Sequence, residues 1–145
     1  FEKTVFSEIP AKFEAGTGSI ADAVGLGAAI DYLNKIGMQN IERYEHELME
    51  YSMDALGSIP GLQLIGTAPN KAGAISFLME GLDPIEIGVF LDHEGFAVRA
   101  GHHCAQPAVR HYGVEATVRP SLGIYNTKND IDELVKALYK AKSSL

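Results

Sequence analysis

The segment Arg99-Ala100-Gly101-His102-His103-Cys104-Ala105-Gln106-Pro107 holds the sole cysteine of the 145-residue chain, with two histidines directly before it and an arginine five positions upstream. Such a set can build a reactive thiol. The thiolate is the nucleophile, and the free thiol pKa of about 8.5 falls beside cationic groups. Arg99 brings permanent positive charge, and His102 and His103 can give or take protons. Gly101 lets the backbone turn, and Pro107 is expected to stop a helix or central strand from running through. Two plainer readings compete. A lone cysteine is more often a small buried hydrophobe than a nucleophile. Neighbouring histidines suggest a metal, yet in an extended segment only His102 and Cys104 share a face, and no Cys-x-x-Cys or His-x-x-x-His spacing supplies further ligands. No metal site is expected.

The elements that must hold this segment follow from periodicity. Residues 1–18 read as an arm or ordered loop, with strand-like alternation over Phe1–Phe6, then Pro10 and the Gly16-Thr17-Gly18 cluster. From Ser19 apolar residues recur at helical steps (Ile20, Ala23, Val24, Gly27, Ile30, Leu33), with Gly37 as the stop. A second helix starts near Asn40, puts Ile41, Tyr44, Leu48, Tyr51 and Ala55 on its buried stripe, and ends at Gly57. Strands are expected at Leu62–Ile65, Ala74–Leu78, Phe96–Arg99 and Val118–Leu122. Asp83-Pro84-Ile85-Glu86 opens a helix that closes at Gly95. Thr127 to Asp130 caps a last helix with Ile131, Leu134, Val135 and Leu138 inward. Helices followed by mixed strands and helices make a two-layer α+β domain with a mainly antiparallel sheet packed by helices.

Composition narrows the function. With 12 basic against 19 acidic residues the net charge is -7, so a nucleic acid or an anionic membrane surface would be repelled. No apolar run reaches the ~20 residues that cross a bilayer. A single cysteine forms no internal disulfide, which suits a reducing cytoplasm. The chain opens on Phe1 without an initiator methionine, from which we expect an upstream segment.

Three blocks carry a resemblance. The stretch RAGHHCAQP at 99–107 resembles the active-site cysteine segment of Suf-type (group II) cysteine desulfurases and selenocysteine lyases, which are pyridoxal-phosphate enzymes of fold type I within the class V aminotransferase family. Phe13-Glu14-Ala15-Gly16-Thr17 is similar to that family's FEAGT element, and VRPSLGIYNT at 118–127 is similar to its (V/C)RxSLxxYNT element, in the family's order. The resemblance covers essentially the whole chain. It implies that residues 19–145 are the C-terminal small domain of such an α/β enzyme, entered through the arm 1–18, and that the cofactor-binding large domain lies upstream.

The roles that the resemblance implies fall on matched positions. Cys104 corresponds to the nucleophile that takes sulfur from L-cysteine, leaves L-alanine and carries a persulfide to an acceptor protein of iron–sulfur cluster assembly. Arg119 corresponds to the arginine that pairs with the substrate α-carboxylate, a task that suits the guanidinium fork. Arg99 lines the substrate side, and His102 and His103 line the cysteine loop. Thr17 corresponds to a threonine that reaches the cofactor phosphate of the opposite subunit in a homodimer. Position 18 departs from the family, which has proline where this chain has glycine. The family's cofactor lysine follows a histidine in an upstream element, and none of the 8 lysines here has that context, so the chain alone is expected to be inactive. Within the family, selenocysteine lyase is the rival reading. From another class, the rival is a stand-alone adaptor or redox-sensing domain.

Overall fold

The computed structural model describes residues 2–66, 68–71 and 73–145. The chain divides into two compact units, Phe1–Met38 and Gln39–Leu145. In the first, a short 3-10 turn at Ala11–Phe13 precedes helix α1 (Ile20–Ile36). Lys12 lies over the rings of Phe6 and Phe13, 5.5 and 5.7 Å from their centroids. Gly37 ends α1 as expected: its φ of 92° suits glycine, and its N–H donates to Leu33 O at 2.9 Å. None of the residues of α1 is buried. The alternation at the chain start forms no strand over residues 2–8, and Phe1 lies outside the described residues.

The second unit contains α2 (Met38–Gly57, entered at its second residue), β1 (Leu62–Ile65), β2 (Ser76–Met79), α3 (Pro84–His93), β3 (Arg99–Gly101), α4 (Gln106–His111), β4 (Thr117–Arg119) and α5 (Lys128–Ser144). The four strands form one antiparallel sheet in the order β1-β2-β4-β3, as the α+β reading requires. Phe77 and Met79 of β2 and Val118 of β4 are buried with Met49 and Leu56 of α2, Ile87 and Leu91 of α3, and Leu134 and Leu138 of α5. The core therefore lies between one sheet face and the helices. A Cβ built on Gly88 of α3 would stand 2.9 Å from Ala100 Cβ, so glycine lets α3 settle directly on β3.

The helix starts were legible. The Asp83 carboxylate accepts from Ile85 N at 2.7 Å and Glu86 N at 3.3 Å. Thr127 and Asp130 form a full capping box at α5.

Several expectations are corrected. The buried stripe of α2 is Ile41, Leu48, Met49, Ser52 and Leu56, rotated from the expected one. Tyr44 and Tyr51 flank it, where their hydroxyls donate to Asn126 O and Asp132 Oδ1, because a phenol needs a polar partner at its tip. Val135 is only partly buried. The second strand is Ser76–Met79, with Ala74 held only by an isolated bridge to Ser121. The third strand is Arg99–Gly101 instead of Phe96–Arg99, since pairing begins only where β4 lies opposite. As expected, no helix or strand runs through Pro107; it sits in the first turn of α4, where a missing N–H costs no intrahelical bond.

Candidate active site

Strands β3 and β4 place the charged groups by register. Arg99 pairs with Arg119, Ala100 with Val118 and Gly101 with Thr117. Side chains alternate between faces, so the Val118 row joins the helix-covered core while Arg99, Arg119 and Thr117 share the opposite face. Two guanidinium groups thus stand directly across one strand pair, an arrangement in which like charges repel. Among the described residues neither forms an ion pair with a carboxylate. In a chain of net charge -7 this is a local cationic spot without its counter-ion.

Immediately beyond β3 the chain reverses over His102–Ala105, where Ala105 N–H donates to His102 O at 2.8 Å. Both central residues are left-handed, His103 at φ 56° and Cys104 at φ 57°. Such primed turns normally hold Asn or Gly, and each non-glycine residue there costs about 1–3 kcal/mol. The extended geometry in which His102 and Cys104 share a face is therefore replaced by a tight turn. Three contacts hold it. Cys104 N–H donates to His102 Nδ1 at 3.0 Å, His103 Nε2 lies 2.8 Å from Thr117 Oγ1, and Arg99 Nη2 points at Cys104 Sγ from 3.8 Å.

Cys104 is exposed, so the buried-hydrophobe reading fails on position alone. Its thiol sits on a turn, beside a guanidinium, where a reagent can reach it. No group of three or more His, Cys, Asp or Glu among the described residues could hold a metal ion. His103 and Arg119 each carry a buried nitrogen without a hydrogen-bond partner, Nδ1 and Nε respectively. Such orphaned groups cost about 1–3 kcal/mol each until a ligand or water satisfies them. The site brings together Arg99, His102, His103, Cys104 and Arg119. Thr17 lies in the first unit, in the exposed loop before α1, and its hydroxyl has no partner among the described residues. Thr117, which sequence reasoning missed, is 1% exposed and anchors His103. Its one sequence signal is its place immediately before Val118 in the VRPSLGIYNT block.

Burial, then the positive charge of Arg119, lowers the His103 pKa from its ordinary value, against a hydrogen bond from the ring to the Thr117 backbone that raises it. The folded chain thus resists a proton that the unfolded chain accepts below about pH 6.5. His103 contributes stability that is present above that pH and is lost as the pH falls. Denaturant midpoints at pH 7 and pH 5 should show a shallower acid loss in His103→Asn, a residue that tolerates the left-handed backbone. Equal losses in variant and parent would assign the sensitivity to other groups.

The residues present fit the substrate side of a pyridoxal-phosphate site: an exposed thiol, two arginines without a carboxylate partner among the described residues, and a buried Arg119 Nε–H that an anion would satisfy. They do not supply the imine-forming amine. No residue of β3, of the His102–Ala105 turn or of β4 is a lysine.

Known proteins bear on this arrangement. A cysteine desulfurase of Synechococcus elongatus is 57% identical over 143 residues, which are 99% of this chain and 23% of that protein. A probable cysteine desulfurase of Xylella fastidiosa is 47% identical over 145 residues, covering all of this chain and 35% of the relative. Among solved structures, an apo cysteine desulfurase of Thermococcus onnurineus superposes with a TM-score of 0.87 at 35% identity, over 96% of this chain and 35% of that one. The Escherichia coli cysteine desulfurase CsdA, in an S-sulfonic acid form, superposes at 0.85 with 34% identity, over 94% of this chain and 34% of that one. The chain therefore spans at most about a third of the length of these proteins. The sequence profile of the aminotransferase class-V family matches residues 1–134, and on that match the chain belongs to the aminotransferase class-V family.

Proposed function

We propose that the chain is the sulfur-accepting small domain of a pyridoxal-phosphate cysteine desulfurase. The observation that carries this reading is the exposed Cys104 thiol on a left-handed turn, 3.8 Å from Arg99, with Arg119 in register on the next strand. Arg119, helped by Arg99, binds and orients the α-carboxylate of L-cysteine. This brings the substrate Sγ to Cys104. The Cys104 thiolate attacks that sulfur, the new S–S bond forms as the Cβ–Sγ bond breaks, and the released electron pair stays with Cβ. Cβ takes a proton and becomes the methyl group of L-alanine, and Cys104 is left as a persulfide. Pyridoxal phosphate, when bound, supplies the electron sink for this bond cleavage. On this reading Thr17 reaches the cofactor phosphate of a partner subunit in a homodimer, and the persulfide passes to an acceptor protein of iron–sulfur cluster assembly. No helix among the described residues is long and apolar enough to cross a membrane, which fits the cytoplasmic site we propose for it.

The test uses the intact protein loaded with pyridoxal phosphate and given L-cysteine bearing a sulfur isotope. Mass spectrometry should find the labelled sulfur on Cys104 and an equal amount of alanine. Alanine without label on Cys104 would take the acceptor role away from this residue.

A further inference from the structure

We propose that His102 is the positioning residue of the reactive thiol: its ring Nδ1, by accepting the Cys104 N–H, holds the His103–Cys104 turn in the left-handed form that keeps Sγ beside Arg99. The proposal deepens the reading of Cys104 as sulfur acceptor and rests on it for its consequence in the reaction.

Positive φ is uncommon for any residue but glycine, and although histidine is among the types that reach it more often, cysteine is not; here both His103 and Cys104 have φ near 57°. A strained backbone persists only where its surroundings over-determine it. At this turn His102 supplies two of the constraints. Its carbonyl accepts Ala105 N–H at 2.8 Å, which closes the reversal, and its ring nitrogen accepts Cys104 N–H at 3.0 Å. The ring contact spans two residues, from a side chain to the backbone N–H ahead. That is the reach with which Asn and Asp stabilise turns, with imidazole Nδ1 standing where their oxygen would be. For Nδ1 to accept, it must carry the lone pair, which fixes the proton of the neutral ring on Nε2.

The consequence is local and geometric. Cys104 N is bonded to the Cα that carries Cβ, so holding that amide in the turn fixes the direction of the Cα–Cβ bond and leaves Sγ a choice of staggered rotamers. From that Cβ the rotamer present puts Sγ 3.8 Å from Arg99 Nη2. Released from Nδ1, the turn can relax toward the right-handed or extended backbone that these residues prefer, and Sγ leaves the guanidinium.

Asparagine at position 102 offers an oxygen at the reach of Nδ1, whereas leucine fills similar space and accepts nothing. The comparison uses the intact protein, with His102→Leu and His102→Asn measured beside the parent. In His102→Leu, iodoacetamide should alkylate Cys104 about three- to tenfold more slowly at pH 7, the worth of one net hydrogen bond. The Cys104 amide should also exchange with solvent faster. His102→Asn should restore slow exchange and an alkylation rate within about twofold of the parent. Persulfide formation from L-cysteine should follow the same order. Parent-like alkylation and exchange in His102→Leu would overturn the proposal, as would an asparagine variant as impaired as the leucine one. If His102→Leu loses cooperative unfolding, His102→Ala makes the same comparison. A parent protein that forms no persulfide would sink the sulfur-acceptor reading alone, because alkylation and exchange judge His102 without it.

Discussion

Cys104→Ser is expected to reduce alanine formation from L-cysteine to background in the intact, cofactor-loaded protein while leaving the fold and the cofactor in place. Serine differs from cysteine by one atom, and Cys104 is exposed, so little packing is lost and the stability change should stay within about 0.5 kcal/mol. The hydroxyl cannot take its place in the chemistry. Its oxygen stays protonated at neutral pH and forms no stable bond to sulfane sulfur, so the S–S bond that drains the substrate has nowhere to form. Cofactor absorbance should be unchanged, since no part of this turn supplies the imine-forming amine. Alanine production at the parent rate would show that sulfur leaves the substrate without this thiol.

Arg119→Lys is expected to lower kcat/KM for L-cysteine by about thirty- to a thousandfold, equivalent to about 2–4 kcal/mol, at little cost in melting temperature. Lysine keeps the charge and loses the fork. A bidentate carboxylate is then held at one point, and its Sγ swings away from the Cys104 turn. Arg119 is half-buried, and its Nε has no partner within the described chain, which separates it from a surface arginine that serves only as an ion-pair partner. An exposed ion pair would be worth only about twofold. A near-parent value in a stable variant would remove Arg119 from the substrate.

Much of the fold was written locally. The Asp83-Pro84 start of α3 and the Thr127–Asp130 box of α5 are side-chain-to-backbone bonds within three residues, so sequence shows them directly. The sheet was legible as a set of strands but not in its bounds. Phe96 and Val98 have strand-like apolarity and do pack on the core, yet pairing starts at Arg99 because β4 lies opposite only from there. Tyr44 and Tyr51 were read as core because periodicity counts a phenol as apolar and ignores the need of its hydroxyl. Cys104, Arg99 and the two histidines announced themselves by clustering. The left-handed turn did not, since His-Cys has none of the composition that primed turns favour. Thr117 was invisible because its role depends on a strand pairing that brings it across from Gly101.

On the proposed function, the facing arginines would also set how a small amino acid meets an acidic body. A free α-amino acid at neutral pH is a zwitterion, so a chain of net charge -7 neither draws it in nor turns it away over distance. Screening shortens the reach of that excess charge further, to about 8 Å at physiological ionic strength. Close to the β3 edge the balance reverses. Two cations on adjacent strands create a steep local gradient, and a dipole in such a gradient turns its negative end inward. For the substrate proposed, the paired charges would thus decide which end of the visitor arrives first, while the number of visits is left to diffusion.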